Sequence, residues 1–314
     1  MKQKVLCRGY AADGSRVCCS APVDFRLQRD EEAPADGLTV TLAETGLPAL
    51  YRVELLVNGV CLFGGLTDEQ HERWAAGRRE TELVCRSFEA LLLDNKAVPG
   101  AVRCPSRTVM EHWQLRPLGL RAVGGSPRVF PGEYTAAFGE SVYNVLRGFA
   151  RLYLGRDALW MPDETTVSFS PREAGRCTLP APVEVVFSRQ PAERISEVMV
   201  QDTRSGGYGT VVENRPAKTD GVVRRRFLRS AVGDAAALIA AGEKAAFVWQ
   251  ITVPGLWNVR PGDFVDVEEM PGDFSALQGA RAEAVRLTGG NDGLFTRVTL
   301  EAEREKTPCG LQKN

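Results

Sequence analysis

One short stretch of the chain crowds ionisable side chains together. Asp68, Glu69, His71 and Glu72 place three carboxylates and an imidazole within five positions. Paired carboxylates can perform the acid–base chemistry of hydrolases, but they need a defined separation in space, which adjacency in sequence does not supply. We therefore interpret this stretch as the solvated end of a hairpin and not as a catalytic centre.

A second stretch, Glu111-His112-Trp113, has the residue types of a metal or catalytic cluster. The chain has 2 histidines, and neither belongs to the HExxH pattern with which a helix binds catalytic zinc. We interpret the stretch as part of an amphipathic helix that buries Trp113 and leaves His112 at the border of the buried face.

The 8 cysteines have the chemistry to bind a metal or to form disulfides. They contain no CxxC pair, and the one close pair is the adjacent Cys18-Cys19. Structural zinc sites usually use close-spaced pairs, so we expect reduced thiols and no metal site. Cys85 falls in an alternating pattern and is expected to be a small buried side chain. The cysteines are Cys7, Cys18, Cys19, Cys61, Cys85, Cys104, Cys177 and Cys309.

The most basic run is Arg224-Arg-Arg-Phe-Leu-Arg229, and such runs can hold phosphates. Because the formal net charge is -1 and the run has a single aromatic residue, we favour an exposed strand or loop that contacts an acidic neighbouring subunit. DNA contact is the less favoured alternative. Gly206-Gly-Tyr-Gly209 lacks the GKS/T ending of a phosphate-binding loop, and the chain has no GxSxG. The sequence therefore predicts no catalytic, cofactor-binding or metal-binding residue.

The composition is that of an ordinary soluble globular protein, with 44% hydrophobic and 25% charged residues among 314. This length is enough for two or three domains with cores of their own. No run approaches the roughly 18 apolar residues of a membrane span, and the N-terminus MKQKVLCRGY lacks the apolar region of a secretory signal. We expect synthesis in the bacterial cytoplasm without a signal peptide and without membrane contact.

The first hundred residues read as strands. Tyr51–Val57 alternates between apolar and polar positions, which is typical of a half-buried strand with Tyr51 on the buried face. Asn58-Gly59 then predicts a tight hairpin turn. Thr81–Arg86 alternates again, and Ser87 is expected to cap the short helix that follows. The pattern predicts a compact antiparallel sheet or small barrel.

The middle of the chain changes to helical periodicity. The stretch Gly139-Glu140-Ser141 is predicted to start a helix that Gly155 ends. Its apolar stripe is expected to contain Val142, Val145, Leu146, Phe149 and Leu152. Beyond Pro180 the chain returns to strands such as Phe247–Val253, with an alanine-rich helix that Asp234 is expected to cap. The order is β, then α/β, then β.

Several blocks resemble the hub proteins of Mu-like and related contractile phage tails, the late control protein D-like family, particularly its Gram-positive prophage type. Leu62–Gln70 looks like the family's F-x-G-x-x-D-E-Q hairpin, and Arg86–Pro99 resembles the segment that closes the first barrel. Pro34–Leu42, Gly139–Leu146 and Trp257–Asp266 are also similar to family segments. The order and spacing of these blocks cover most of the chain.

The resemblance implies a mainly β chain with α+β character, in which two tube-type antiparallel β-barrel domains are separated by a small α/β domain. It implies a homotrimer whose six barrels join the sixfold tail tube to the threefold spike, alongside other baseplate proteins, in a virion or phage-tail-like particle. No enzymatic activity, cofactor or small-molecule substrate is expected. The predicted segments are 1–98 (first barrel), 99–178 (small α/β domain), 179–303 (second barrel with a helical insertion) and 304–314 (polar tail).

Two other classes of function stay open. One is a tail-associated peptidoglycan hydrolase, although no catalytic signature accompanies it. The other is a carbohydrate- or receptor-binding β module that stacks sugars on exposed aromatic side chains such as Trp160, Trp249 or Trp257. Trp249 lies on an alternating face and is expected in the core.

Overall fold

The computed structural model describes residues 3–75, 77–155, 159–202, 204–229, 232–271 and 276–301. With 46% strand and 18% helix, the chain is mainly β and contains large antiparallel sheets. The strands before the longest helix are β1 (Val5–Tyr10), β2 (Arg16–Ser20), β3 (Asp24–Asp30), β4 (Gly37–Leu42), β5 (Arg52–Val57), β6 (Val60–Ala75), β7 (Arg78–Ser87), β8 (Gly100–Arg103), β9 (Arg121–Val123) and β10 (Glu133–Ala136).

The later strands complete the set, and the helices are short apart from two. These strands are β11 (Trp160–Asp163), β12 (Thr166–Ser168), β13 (Arg176–Leu179), β14 (Glu184–Arg189), β15 (Glu197–Val200), β16 (Thr210–Glu213), β17 (Arg225–Leu228), β18 (Phe247–Pro254), β19 (Phe264–Val267), β20 (Leu277–Gly290) and β21 (Gly293–Glu301). The α-helices are α1 (Ala90–Asp94), α2 (Arg107–Met110), α3 (Val142–Leu154), α4 (Arg215–Thr219) and α5 (Val232–Ala245).

The chain divides into two compact units. Within the described ranges, the first unit comprises residues 3–175, 255–258 and 286–296, and the second comprises residues 176–254, 259–285 and 297–301. No helix in the described part of the chain has the length and apolar character needed to cross a bilayer. The predicted polar tail, 304–314, lies outside the described residues.

The main sheet of the first unit has the strand order β3-β4-β7-β6-β5-β1-β2, with antiparallel neighbours throughout. The predicted turn at Asn58-Gly59 joins β5 to β6, with φ angles of 51° and 84°. Both residues are left-handed, which the tight hairpin requires. Val53 and Leu55 are buried as predicted, but Tyr51 precedes β5 and is exposed, so its predicted place on the buried face is wrong.

The helical part of the first unit is built on α3. The Ser141 hydroxyl accepts the Asn144 N–H at 3.2 Å, and the helix ends at Gly155 with a left-handed φ of 63°, as predicted. Leu152, however, is 67% exposed, which corrects the predicted apolar stripe. At 3.6 residues per turn, Tyr153 lies only about 40° around the helix from Phe149, whereas Leu152 lies about 60° away on the other side. Tyr153 therefore takes that place in the core and packs on Phe149.

The short helix α1 begins differently from the prediction. Its cap residue is Glu89, and Ser87 instead ends β7. The Ser87 hydroxyl donates to Glu89 Oε2 at 2.6 Å and accepts the Asp36 N–H at 2.9 Å. Ser87 thus fixes the backbone that leads into α1 and does not satisfy the first N–H groups of the helix.

The second unit contains two sheets. In the larger one β14, β18 and the parts of β21 and β20 that belong to this unit are neighbours in that order, and β19 pairs with β20 and with β13. Trp249, Ile251 and Val253 of β18 are buried, as their alternation predicts. In the smaller sheet the order is β16-β15-β17. Among the described strands, pairing closes neither large sheet into a barrel.

The helix α5 starts two residues before the predicted cap. Asp234 therefore lies inside the first turn, and the prediction that it caps the helix is wrong. A carboxylate is favoured at either place, because both lie at the positive end of the helix dipole. The sequence signal marks the helix start without distinguishing the two positions.

Candidate functional site

The two blocks that carry the resemblance most specifically meet at Arg86. Its guanidinium binds Asp68 through Nε at 2.6 Å and Nη2 at 2.9 Å, and binds Asp94 through Nη2 at 2.7 Å and Nη1 at 3.1 Å. These hydrogen bonds raise the pKa of Arg86 and lower the pKa of Asp94. Asp68 stands at a register shift of β6, between Thr67 and Glu69. These hydrogen bonds connect the β6–β7 hairpin to α1, and both oxygens of the Asp68 carboxylate accept from Arg86.

The other acidic side chains of this stretch diverge. Glu69 Oε2 lies 2.8 Å from His71 Nε2, whereas Glu72 Oε1 accepts the Gly46 N–H at 2.6 Å. Gln70, the last residue of the D-E-Q pattern, accepts the Leu50 N–H at 2.9 Å. The structure therefore places residues 68–72 along β6, where Asp68, Gln70 and Glu72 contact other segments and Glu69 contacts His71. It does not bring their carboxylates together as an acid–base pair.

Three blocks of the resemblance also meet inside the first unit, at the buried Arg29. This side chain is 2% exposed. Its Nη2 donates to the Leu62 carbonyl, its Nη1 donates to Asn258 Oδ1 at 3.1 Å, and its Nε lies 3.3 Å from Asp36 Oδ2. A buried guanidinium is tolerated only where acceptors surround it, so Arg29 fixes these three segments relative to one another.

Glu111-His112-Trp113 lies in a π-helical turn that continues α2. Glu111 pairs with Arg116 at 3.7 Å, His112 is exposed, and Trp113 packs half-buried against the core around α3. The helical interpretation agrees with this placement, although Trp113 is less buried than expected.

The cysteines are dispersed. Of the seven that the structure describes, Cys7, Cys18 and Cys85 are buried. Burial raises the pKa of Cys85 to about 12 and raises that of Cys7 further, so both thiols are held protonated. Cys85 is the buried small side chain that the sequence predicts. Across the described ranges, no group of three or more His, Cys, Asp or Glu side chains is arranged to hold a metal.

The glycine-rich stretch and two of the candidate tryptophans were also singled out in the sequence. Gly206–Gly209 belongs to the connection between β15 and β16, where the Asp202 carboxylate accepts the Arg204 N–H at 2.8 Å. Trp249 is in the core, and the Trp160 indole N–H donates to the Ser170 carbonyl at 2.9 Å. The burial of Trp249 leaves no ring face on which a sugar could stack.

The sequence did not single out the tip of the β6–β7 hairpin. Strand β5 pairs with β6 only as far as Leu66, so β6 continues past it beside β7. Near the tip Trp74 is 69% exposed, faces Arg79 across the hairpin, and has that guanidinium 5.7 Å from its ring centre. Tryptophan and arginine are enriched where binding energy concentrates in protein interfaces. In the sequence, the available signal was a tryptophan, Trp74, three positions before the glycine of a turn, Gly77.

Comparison with known proteins identifies the fold. No family model matches the sequence, and no curated protein matches it. A tail protein from Neisseria meningitidis is similar over 98% of this chain and 99% of its own, with 19% identity and a TM-score of 0.70. The 43 kDa tail protein of prophage MuSo2 from Shewanella oneidensis is similar over 96% and 98%, with 13% identity and a TM-score of 0.72.

An E. coli component of the type VI secretion system, described as structurally similar to the T4 bacteriophage tail proteins gp27 and gp5, is similar over 98% of this chain and 78% of its own. Its identity is 9% and its TM-score 0.50. At such identities the likeness concerns the fold. The structural neighbours of this chain are phage tail proteins and a related secretion-system component, and the chain has their fold.

Proposed function

We propose that the chain is a structural hub of a contractile phage tail baseplate or of a related phage-derived particle, and that it is not an enzyme. The observation that carries the proposal is the extent of the likeness, which spans nearly the whole length of this chain and of two tail proteins. The chain would therefore reside in the baseplate of the particle.

The finer part of the proposal is a trimeric adapter. Two tube-type β modules, in segments 1–98 and 179–303 with the 99–178 segment between them, would convert threefold symmetry into near-sixfold symmetry. Each of the two units contains a large antiparallel sheet, which supports the presence of two β modules. The trimer would join the sixfold tube to the threefold spike, holding both through sheath contraction.

The test is assembly of the full chain with the tube and spike proteins of its own particle. At high concentration, light scattering should give a mass three times 34.3 kDa, and electron microscopy of the tube-bound complex should show pseudo-sixfold symmetry at one end. A chain that stays monomeric and captures neither protein would contradict the proposal. Clearing of cell walls in a zymogram would favour the hydrolase instead, and binding on a glycan array would favour the carbohydrate-binding module.

A further inference from the structure

The small sheet of the second unit, β16-β15-β17, has one covered face and one open face. Val198 and Val200 of β15 point to the covered side, where they form a core with Ala235 of α5. Successive side chains of a strand point to opposite faces, so Glu197 and Met199 point to the open side. The open face therefore has a composition of its own.

An apolar row crosses this open face. Met199 stands in register with Val211 of β16 on one side and with Phe227 of β17 on the other. Phe227 is 57% exposed, and the ring of Tyr208 meets it edge-on with the ring centres 5.1 Å apart. The row ends at β17, where Phe227 presents its ring to solvent.

The neighbouring row on the open face is charged, and its side chains pair with one another. Lys218 Nζ lies 2.9 Å from Glu197 and 2.7 Å from Glu213, and Arg225 also pairs with Glu197. The hydrogen bonds from Lys218 and Arg225 lower the pKa of Glu197, so the row carries two anions against two cations. It adds little net charge to the surface.

Arg226 and Arg229 leave the run Arg224–Arg229 with a net positive charge. Both are exposed, and among the described residues neither has an ion-pair partner. Arg226 stands in register with Val198, so it leaves β17 on the covered side of the sheet, opposite to Phe227. The end strand thus offers an unpaired cation on one face and an aromatic ring on the other.

The backbone of β17 is open on its outer side. In the parallel pairing with β15, the Arg224 carbonyl accepts the Glu197 N–H at 3.3 Å and the Leu228 carbonyl accepts the Gln201 N–H at 2.8 Å. Alternate residues of a strand direct their peptide groups to opposite sides, so those of Arg225 and Phe227 point away from β15. Because β17 is the last strand in the sheet order of the described residues, these groups form an edge that no other strand covers, where the Arg225 carbonyl accepts a hydrogen bond from Arg226 Nη1 at 3.4 Å.

We propose that the edge of β17 binds an extended acidic segment of another protein chain by strand addition. The added strand pairs its backbone with Arg225 and Phe227. Its acidic side chains reach Arg226 on one face, and its apolar side chains continue the Val211–Met199–Phe227 row on the other. A strand with alternating acidic and apolar residues meets both requirements at once.

Nucleic acid would satisfy the arginines, but it would leave the backbone edge unpaired and bring phosphates beside Glu197. The proposal does not depend on the hub function.

The test uses the full chain and synthetic probes, with fluorescence anisotropy as the readout. The probe is a labelled octapeptide of alternating glutamate and valine. Its controls are the lysine–valine peptide, a glutamate–valine peptide with alternate amides N-methylated, and a single-stranded DNA octamer.

The protein variants are Arg226→Glu and Phe227→Pro. Proline is chosen at position 227 because the Phe227 N–H faces outward and its loss leaves the pairing with β15 intact. The matched charge control is Arg16→Glu, at an exposed position on β2. Circular dichroism checks that each variant is folded.

We expect the glutamate–valine peptide to bind the native chain and Arg16→Glu equally, and to bind Arg226→Glu about tenfold more weakly. Phe227→Pro and the N-methylated peptide should each abolish measurable binding, since both remove backbone pairing. Three results would overturn the proposal: no binding of the acidic peptide, equal binding by Arg226→Glu, or equal binding of the N-methylated peptide. Binding of the DNA octamer in preference to the peptide would replace it with a phosphate site.

Discussion

Replacement of Arg29 by methionine tests the buried link between the blocks of the first unit. The change keeps much of the apolar stem and removes the guanidinium. The buried Leu62 carbonyl then loses its charged donor, at about 1–3 kcal/mol, whereas Asn258 is exposed and water replaces most of its lost hydrogen bond. The Asp36 side chain is 32% exposed, so water restores most of its solvation and its loss adds at most about 1 kcal/mol. We expect the free energy of unfolding to fall by about 1–4 kcal/mol.

The measurement is urea unfolding followed by tryptophan fluorescence and circular dichroism. Arg26→Met is the matched control, because Arg26 lies on the same strand and is exposed. That control should change the free energy of unfolding by no more than about 0.5 kcal/mol. If Arg29→Met costs less than about 1 kcal/mol, or no more than the control, then Arg29 does not hold the three segments together and the reasoning is refuted.

Three further changes test other parts of the structure. A Cβ at Gly65 would collide with the Arg86 carbonyl oxygen, so Gly65→Ala should destabilise the chain by at least about 2 kcal/mol in thermal unfolding, whereas Gly37→Ala, which has open space, should be nearly neutral. Burial raises the pKa of Glu89, so its contribution to stability is present below the unfolded pKa and is lost as pH rises through the folded pKa. Glu89→Gln should therefore gain stability relative to the native chain between pH 4 and pH 8, and a pH-independent difference would contradict the burial argument. Trp74→Ala should leave the melting temperature unchanged and weaken assembly with the particle's other proteins about tenfold, whereas unchanged assembly would exclude the hairpin tip as a contact.

The parts of the fold that could be predicted are those that local chemistry decides. Asn58-Gly59 takes two left-handed conformations that few other dipeptides accept, so the turn and its flanking strands follow from the sequence. The ends of α3 are also set by local chemistry. Ser141 accepts a hydrogen bond from an N–H group of the first turn, and Gly155 adopts the left-handed conformation that ends the helix.

The errors occur where tertiary packing chooses between neighbouring positions that satisfy the same local rule. Leu152 and Tyr153 both suit the edge of a helical stripe, and contact with Phe149 selects the tyrosine. Ser87 has a side chain fit for capping, but the end of β7 uses it to bind Glu89.

Arg29 was beyond sequence reasoning. Its acceptor Asn258 is 229 positions away along the chain, and no periodicity connects them. The open edge of β17 was likewise unpredictable, because a strand becomes an edge only through the order in which its sheet is assembled. The basic run was visible in sequence, but not the fact that Arg225 is neutralised while Arg226 is not.

The buried and the exposed residues described above differ in their relation to the blocks of resemblance, and this difference explains why a resemblance in short blocks can accompany a full-length likeness of fold. The acceptors of Arg29 and the partners of Arg86 lie inside the blocks, so these blocks supply buried and bidentate contacts that fix how segments of the first unit meet. Trp74 and Arg226 lie outside every block, on a hairpin tip and a free strand edge whose side chains the packing does not constrain. The blocks therefore supply contacts that hold segments of the first unit together, and the exposed positions between them are where we expect contacts with partners to vary.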